Sequence, residues 1–150
     1  MEDARFETSR DVADAVREAV YDQLRSFNRA ANPDLWAKYE DAAHDAVPLS
    51  VIAYDASGAV AGGLFGETQF SWFKLSIMAV RAASRGRGLG RELVERAEAE
   101  ARRRGCKYVF LDTMSYQAPG FYESLGYQVV GRIEDWDSHG HTKYFMTKTL

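Results

Sequence analysis

Residues 75–104, LSIMAVRAASRGRGLGRELVERAEAEARRR, change pattern twice, and the fold is read from how the three parts join. Leu75 to Val80 closes a run with strand character that begins at Phe70. Arg81 to Gly90 is a turn-rich segment with glycines at 86, 88 and 90 set among arginines. From Leu89 onward, Leu93, Ala97 and Ala101 recur four apart, which is the apolar stripe of a helix. Glu92 with Arg96, Glu98 with Arg102 and Glu100 with Arg104 have the spacing of exposed ion pairs along that helix, and Gly105 ends it. The unit is therefore strand, glycine-rich loop, helix.

Working outward, Lys107 to Thr113 is apolar through Tyr108-Val109-Phe110-Leu111, the pattern of a central strand covered on both faces. A short helix is predicted from Pro119 to Leu125, stopped by Gly126. Two strands follow, near Tyr127 to Trp136 and Thr142 to Thr149, around the polar turn Asp137-Ser138-His139-Gly140-His141. Upstream, Leu49 to Tyr54 and Ala59 to Phe65 form a hairpin about Asp55-Ala56-Ser57-Gly58. Two helices precede it. In the first, Thr8 and Asp11 have capping-box spacing and Val12, Val16, Val20, Leu24 and Phe27 share one face. The second opens at Asn32-Pro33 and must stop before Pro48. This order predicts an α/β (α+β) fold, with a mixed, mostly antiparallel central sheet flanked by helices, as one domain over residues 1–150.

The bulk numbers agree with a soluble enzyme-sized domain. The chain has 150 residues, 46% apolar and 27% charged, with a net charge of −3 that gives no general attraction to nucleic acid or anionic lipid. Cys106 is the single cysteine, which excludes an internal disulfide and a cysteine-built metal site. The N-terminal residues lack the order of a signal peptide, and no apolar run nears the ~20 residues that span a bilayer, so a cytoplasmic location is expected.

The loop carries the chemistry. Glycines let the main chain approach a ligand, and the first N–H groups of the following helix have no partner inside it. Together with the helix dipole and the guanidiniums of Arg85, Arg87 and Arg91, they suit a di- or triphosphate-sized anion. The spacing fits neither the dinucleotide fingerprint G-x-G-x-x-G nor a Walker loop ending in Gly-Lys-Ser/Thr.

Arg85-x-x-Gly88-x-Gly90 resembles the Q/R-x-x-G-x-G/A signature of the GCN5-related N-acetyltransferases, and Ala118-Pro119-Gly120-Phe121-Tyr122-Glu123-Ser124-Leu125-Gly126-Tyr127 is similar to that family's A-x-x-F-Y-x-x-x-G-F/Y block. The resemblance extends to the order of elements over essentially the whole chain. It implies the acyl-CoA N-acyltransferase fold, acetyl-CoA as cosubstrate with no metal, and transfer of the acetyl group to an amine. It further implies that Met78, Ala79 and Val80 lend backbone groups to the pantetheine arm. Arg85, Gly86, Arg87, Gly88, Leu89, Gly90 and Arg91 would hold the pyrophosphate, and Tyr122 would act as the acid that protonates the departing thiolate. A homodimer is implied as well. The proline usual between strand and loop is absent, with Ala82 near its place.

The general base stays open. Phe70 to Val80 contains no carboxylate where many relatives carry a glutamate, which leaves Glu67, Asp112 and, through water, His139 or His141. Glu134, Asp135 and Asp137 around Trp136, with Trp36 and Tyr39 opposite, could attract a cationic amine. Two other classes compete: a non-catalytic acyl-CoA sensor, which the missing strand glutamate favours, and a nucleic-acid binder using Arg81, Arg85, Arg87, Arg91 and Arg102 to Arg104.

Overall fold

A computed structural model describes residues 4–150. They fall into two compact units, one ending at His44 and one running Asp45–Leu150.

The N-terminal unit is helical. Helix α1 spans Asp14–Ala31 and α2 spans Pro33–Glu40, followed by a single 3-10 turn at Ala42–His44. The capping box expected at Thr8 and Asp11 does not form: the helix starts later, and Ala13, in an extended conformation, offers no capping side chain. Ser9 instead accepts a hydrogen bond from the Asp11 N–H in a local turn, which spends the polar groups that might have capped a helix there. At α2 the reading holds, since the Asn32 side chain accepts from the Leu35 N–H and Pro33 occupies the first turn. Arg29 bridges the two helices, pairing with Glu40 at 2.8 Å and lying over the Trp36 ring.

The second unit is built on a six-stranded sheet in the order β1-β2-β3-β4-β6-β5. The strands are β1 Val47–Tyr54, β2 Val60–Gln69, β3 Trp72–Val80, β4 Tyr108–Met114, β5 Gln128–Ile133 and β6 Lys143–Thr149. β1 and β2 form the predicted hairpin, with Asp55 accepting from the N–H groups of Ser57 and Ala59 in its turn. Pro48 is tolerated because β1 lies at the sheet edge, where a missing N–H costs no ladder bond. Helix α3, Leu89–Arg103, connects β3 to β4, which run parallel, and packs on β1, β2 and β3. Of its stripe, Leu93, Ala97 and Ala101 are buried and Leu89 partly so; with Val94 they meet Leu49, Leu64, Phe73, Val109, Leu111 and Met146 in one core.

Two expectations are corrected. β4 is central in the sheet but not covered on both faces. Val109, Leu111 and Thr113 are buried while Tyr108 and Asp112 are exposed, so its long apolar run reflects an aromatic-rich second face. Glu98 is not an exposed partner of Arg102. It is 2% exposed, and both its carboxylate oxygens take hydrogen bonds from Lys148 of β6, at 2.9 and 2.7 Å, while the Tyr127 hydroxyl donates at 2.9 Å. Arg102 stands further off at 3.6 Å. A buried carboxylate is tolerable only with such complete pairing.

The feature that creates a site is the incomplete pairing of β3 with β4. They are hydrogen-bonded only over Trp72–Lys74 against Tyr108–Phe110, although both strands continue. Opposite β2, the register slips between Phe65 and Gly66, which leaves Ser76 as an extra residue in β3. Such a bulge bends the strand. Beyond it, β3 keeps β2 on one side and turns its other edge towards a gap.

Candidate active site

The gap is a groove of about 900 Å³. One wall is residues 75–80 of β3, the other is formed by Asp112, Thr113 and the segment Tyr116–Ala118, and the start of α3 closes one end. Because β3 is unpaired on this side, the backbone N–H and C=O groups that point away from β2 are presented to whatever enters. Met78, Ala79 and Val80 all line the groove.

At the closed end, Gly86 and Gly88 have φ of +72° and +81°, a conformation that favours glycine. Gly88 is the N-cap of α3 and supplies no capping side chain. The first N–H to find a helical acceptor is that of Glu92, bonded to the Gly88 carbonyl at 3.1 Å, so the N–H groups of Leu89, Gly90 and Arg91 are the helix's open donors. With the dipole of a 15-residue helix behind them, they make this end of the groove suited to an anion. Ser84, Arg85, Gly86, Gly88, Leu89, Gly90 and Arg91 line it. Arg85 is also tethered, its Nε donating to the Val80 carbonyl at 3.0 Å, and so fixes the loop against the end of β3. Arg87 is not part of the lining. Most of the remaining basic patch is committed to acids of the same chain: Arg81 to Asp55 at 2.7 Å, Arg103 and Arg104 to Glu100 at 2.7 and 2.6 Å.

Helix α4, Pro119–Glu123, places two aromatics on the groove. Adjacent residues on a helix ordinarily face apart, yet Phe121 and Tyr122 both line it, packed edge to face at 5.1 Å. Five residues make little more than one turn, and α4 lies close enough to α3 that a Cβ on Gly90 would come within 3.4 Å of the Phe121 ring. Tyr122 is 7% exposed and also packs edge to face on Tyr127. Burial pushes its hydroxyl above the ordinary tyrosine range, so it keeps its proton at neutral pH.

The candidate bases separate. Glu67 lies against Lys74 on a different cavity of about 410 Å³, beside the paired half of β3 and β4. Asp112 reaches the groove but is engaged by Lys143 of β6 at 2.9 Å. His139 turns back on the Asp137 carbonyl, whereas the His141 ring packs edge to face on Tyr116. Trp36 and Tyr39 belong to the N-terminal unit, where Trp36 donates to Glu40 at 2.7 Å. The reading of the residues did not single out Gln117. Its side-chain oxygen accepts from the Met114 N–H and the Thr113 hydroxyl, holding the groove wall where β4 ends. Only its place next to the Ala118 block hints at that role.

Residues 14–127 match the model of the acetyltransferase (GNAT) family. The chain is 38% identical over 132 residues to blasticidin-S acetyltransferase of Streptomyces morookaense, covering 85% of this chain and 96% of that one. To an acetyltransferase of Agrobacterium fabrum it is 34% identical over 124 residues, covering 82% and 84%. The crystal structure of an acetyltransferase from Bacillus cereus superposes with a TM-score of 0.76 at 24% identity, over 96% of this chain and 98% of that one. These matches run along most of the chain, and this protein belongs to the acetyltransferase (GNAT) family and is an acyltransferase.

Proposed function

We propose that the protein transfers an acetyl group from acetyl-CoA to the primary amine of a small molecule by direct attack on the thioester. The observation that carries this reading is the groove itself, which joins an anion site at the α3 N-terminus to an unpaired strand edge and a buried tyrosine. The open N–H groups of Leu89, Gly90 and Arg91, with Arg85 and Arg91, receive the pyrophosphate of the cosubstrate. The pantetheine arm, an amide-bearing chain, adds to β3 at Met78, Ala79 and Val80 as a further strand would. A strand N–H at that point polarises the thioester carbonyl and stabilises the oxyanion once the amine has added. As the C–S bond breaks, Tyr122 gives its proton to the thiolate.

A relative named for acetylating blasticidin S supports a small-molecule acceptor. The experiment is a CoA-thiol release assay over a panel of primary amines that includes blasticidin S, with mass spectrometry of the products and calorimetry of acetyl-CoA binding. Thiol release matched by a product one acetyl group heavier is the expected result. Tight binding with no release above hydrolysis on any amine would leave the chain an acyl-CoA sensor.

A further inference from the structure

We infer that His141, oriented by Asp137, is the proton acceptor at the amine end of the groove; this rests on the acetyl-transfer reading above. The ring nitrogen Nδ1 of His141 lies 2.6 Å from Asp137 Oδ2. A carboxylate can only accept, so Nδ1 carries the hydrogen and Nε2 is left with its lone pair. Asp137 is itself held: its Oδ1 accepts from the N–H groups of His139 at 3.0 Å and His141 at 3.3 Å. Burial works to raise the Asp137 carboxyl, and these bonds with that of the His141 ring outweigh it and hold it below the usual range. The turn is fixed further by Asp135, which accepts from the Gly140 N–H at 2.7 Å, and both Asp135 and Ser138 adopt positive φ, of 50° and 59°. Non-glycine residues take that conformation only when the surroundings over-determine it.

The imidazole is not itself part of the groove lining but is joined to it through Tyr116. Its ring meets Tyr116 edge to face at 4.9 Å, and Tyr116 lines the wall opposite β3. The groups that meet it are Asp137 from its own turn and Tyr116 from the segment after β4; the nearby Lys143 of β6 is neutralised by Asp112 of β4. The other candidate bases are engaged elsewhere, as Asp112 and Glu67 are, while the His141 side chain is 44% exposed and can return a proton to solvent. In the reaction, Nε2 takes one proton from the acceptor ammonium, freeing the amine pair that forms the C–N bond. The C–S bond breaks, Tyr122 protonates the thiolate, the second proton lost from the nitrogen restores the Tyr122 hydroxyl, and the imidazolium releases its proton to water.

The test uses the full chain and the amine of the panel that it turns over fastest. For His141→Gln, kcat/KM for the amine should fall roughly 10²-fold, within the range of general base catalysis. The acid limb of the pH profile should vanish, while acetyl-CoA affinity and Tm hold. For Asp137→Asn, the fall should be roughly tenfold, because a neutral amide holds the ring's tautomer and orientation less firmly than the carboxylate does. Added imidazole should restore part of the rate to His141→Ala. A His141→Gln chain that keeps the unsubstituted rate and the same limb overturns the assignment while leaving acetyl transfer intact. Absence of turnover by the unsubstituted chain removes both.

Discussion

Helix α3 carries two polar sites within ten residues, and they are opposites. At its start, the N–H groups of Leu89, Gly90 and Arg91 are given no acceptor by the chain, because Gly88 has no side chain to cap them. Further along, Glu98 is buried and provided with Lys148 and Tyr127 from other parts of the chain. Both places concentrate charge, one of them buried and the other open to the groove. The chain satisfies one of them itself, and there the residues serve stability; it leaves the other open, which is where the proposed cosubstrate would be held. Substitutions at the two should therefore separate activity from stability.

The largest effect is expected at the groove. Tyr122→Phe keeps the ring contacts with Phe121 and Tyr127 but removes the proton. Steady-state turnover under conditions where chemistry limits should fall by roughly 10²- to 10⁴-fold, the range of general acid catalysis, with acetyl-CoA affinity and Tm little changed. Near-full turnover would make Tyr122 a packing residue and blur the contrast.

Next comes the satisfied site. Lys148→Met leaves Glu98 buried without its cation, and the domain should lose about 3 kcal/mol in urea denaturation, the lower end for breaking a buried pair because Lys148 is partly exposed. At temperatures where the variant is folded, its rate should match the parent. A lower rate there would mean that Glu98 also supports the groove.

Gly88→Val is a smaller perturbation at the open site. Nothing lies within 4 Å of an added Cβ, so the cost is backbone conformation at φ +81° together with a branched side chain at the anion site. If the free loop relaxes out of this left-handed conformation, returning it on binding costs roughly 1–2 kcal/mol, or about 5- to 30-fold in acetyl-CoA affinity by calorimetry, in a domain that stays folded. Unchanged affinity would move the anion site elsewhere.

The smallest effect is a dependence on pH. Burial raises Tyr122, and burial with the neighbouring Glu98 anion raises Tyr127 far above the ordinary tyrosine range. The folded chain holds these protons more tightly than the unfolded one. The stability they contribute is complete below about pH 10 and is lost as pH rises beyond it, at about 1 kcal/mol per pH unit for each tyrosine. Urea midpoints should drop between about pH 9 and about pH 11, and Tyr127→Phe should flatten the drop. An equal slope in that variant would place the alkaline loss in other groups.

Much of this was legible in residue order. The four-residue stripe from Leu89 to Ala101 fixes α3, Asn32-Pro33 fixes the start of α2, and the glycines from Arg85 to Gly90 mark the loop that closes the groove, because each depends on neighbours within one or two turns of chain. Only tertiary structure decided the rest. Arg102 is near Glu98 in sequence, yet Lys148, 50 residues away, takes its carboxylate. Asp112 has the look of a base until Lys143 pairs with it, Arg87 belongs to the loop but not to the groove, and Glu67 lies on another cavity. The groove exists because β3 carries an extra residue at Ser76 and leaves β4 after Lys74. Local pattern determines which elements form, since backbone conformation is chosen among near neighbours. Which polar group meets which depends on strand order and side-chain direction, and these are settled only when distant segments pack.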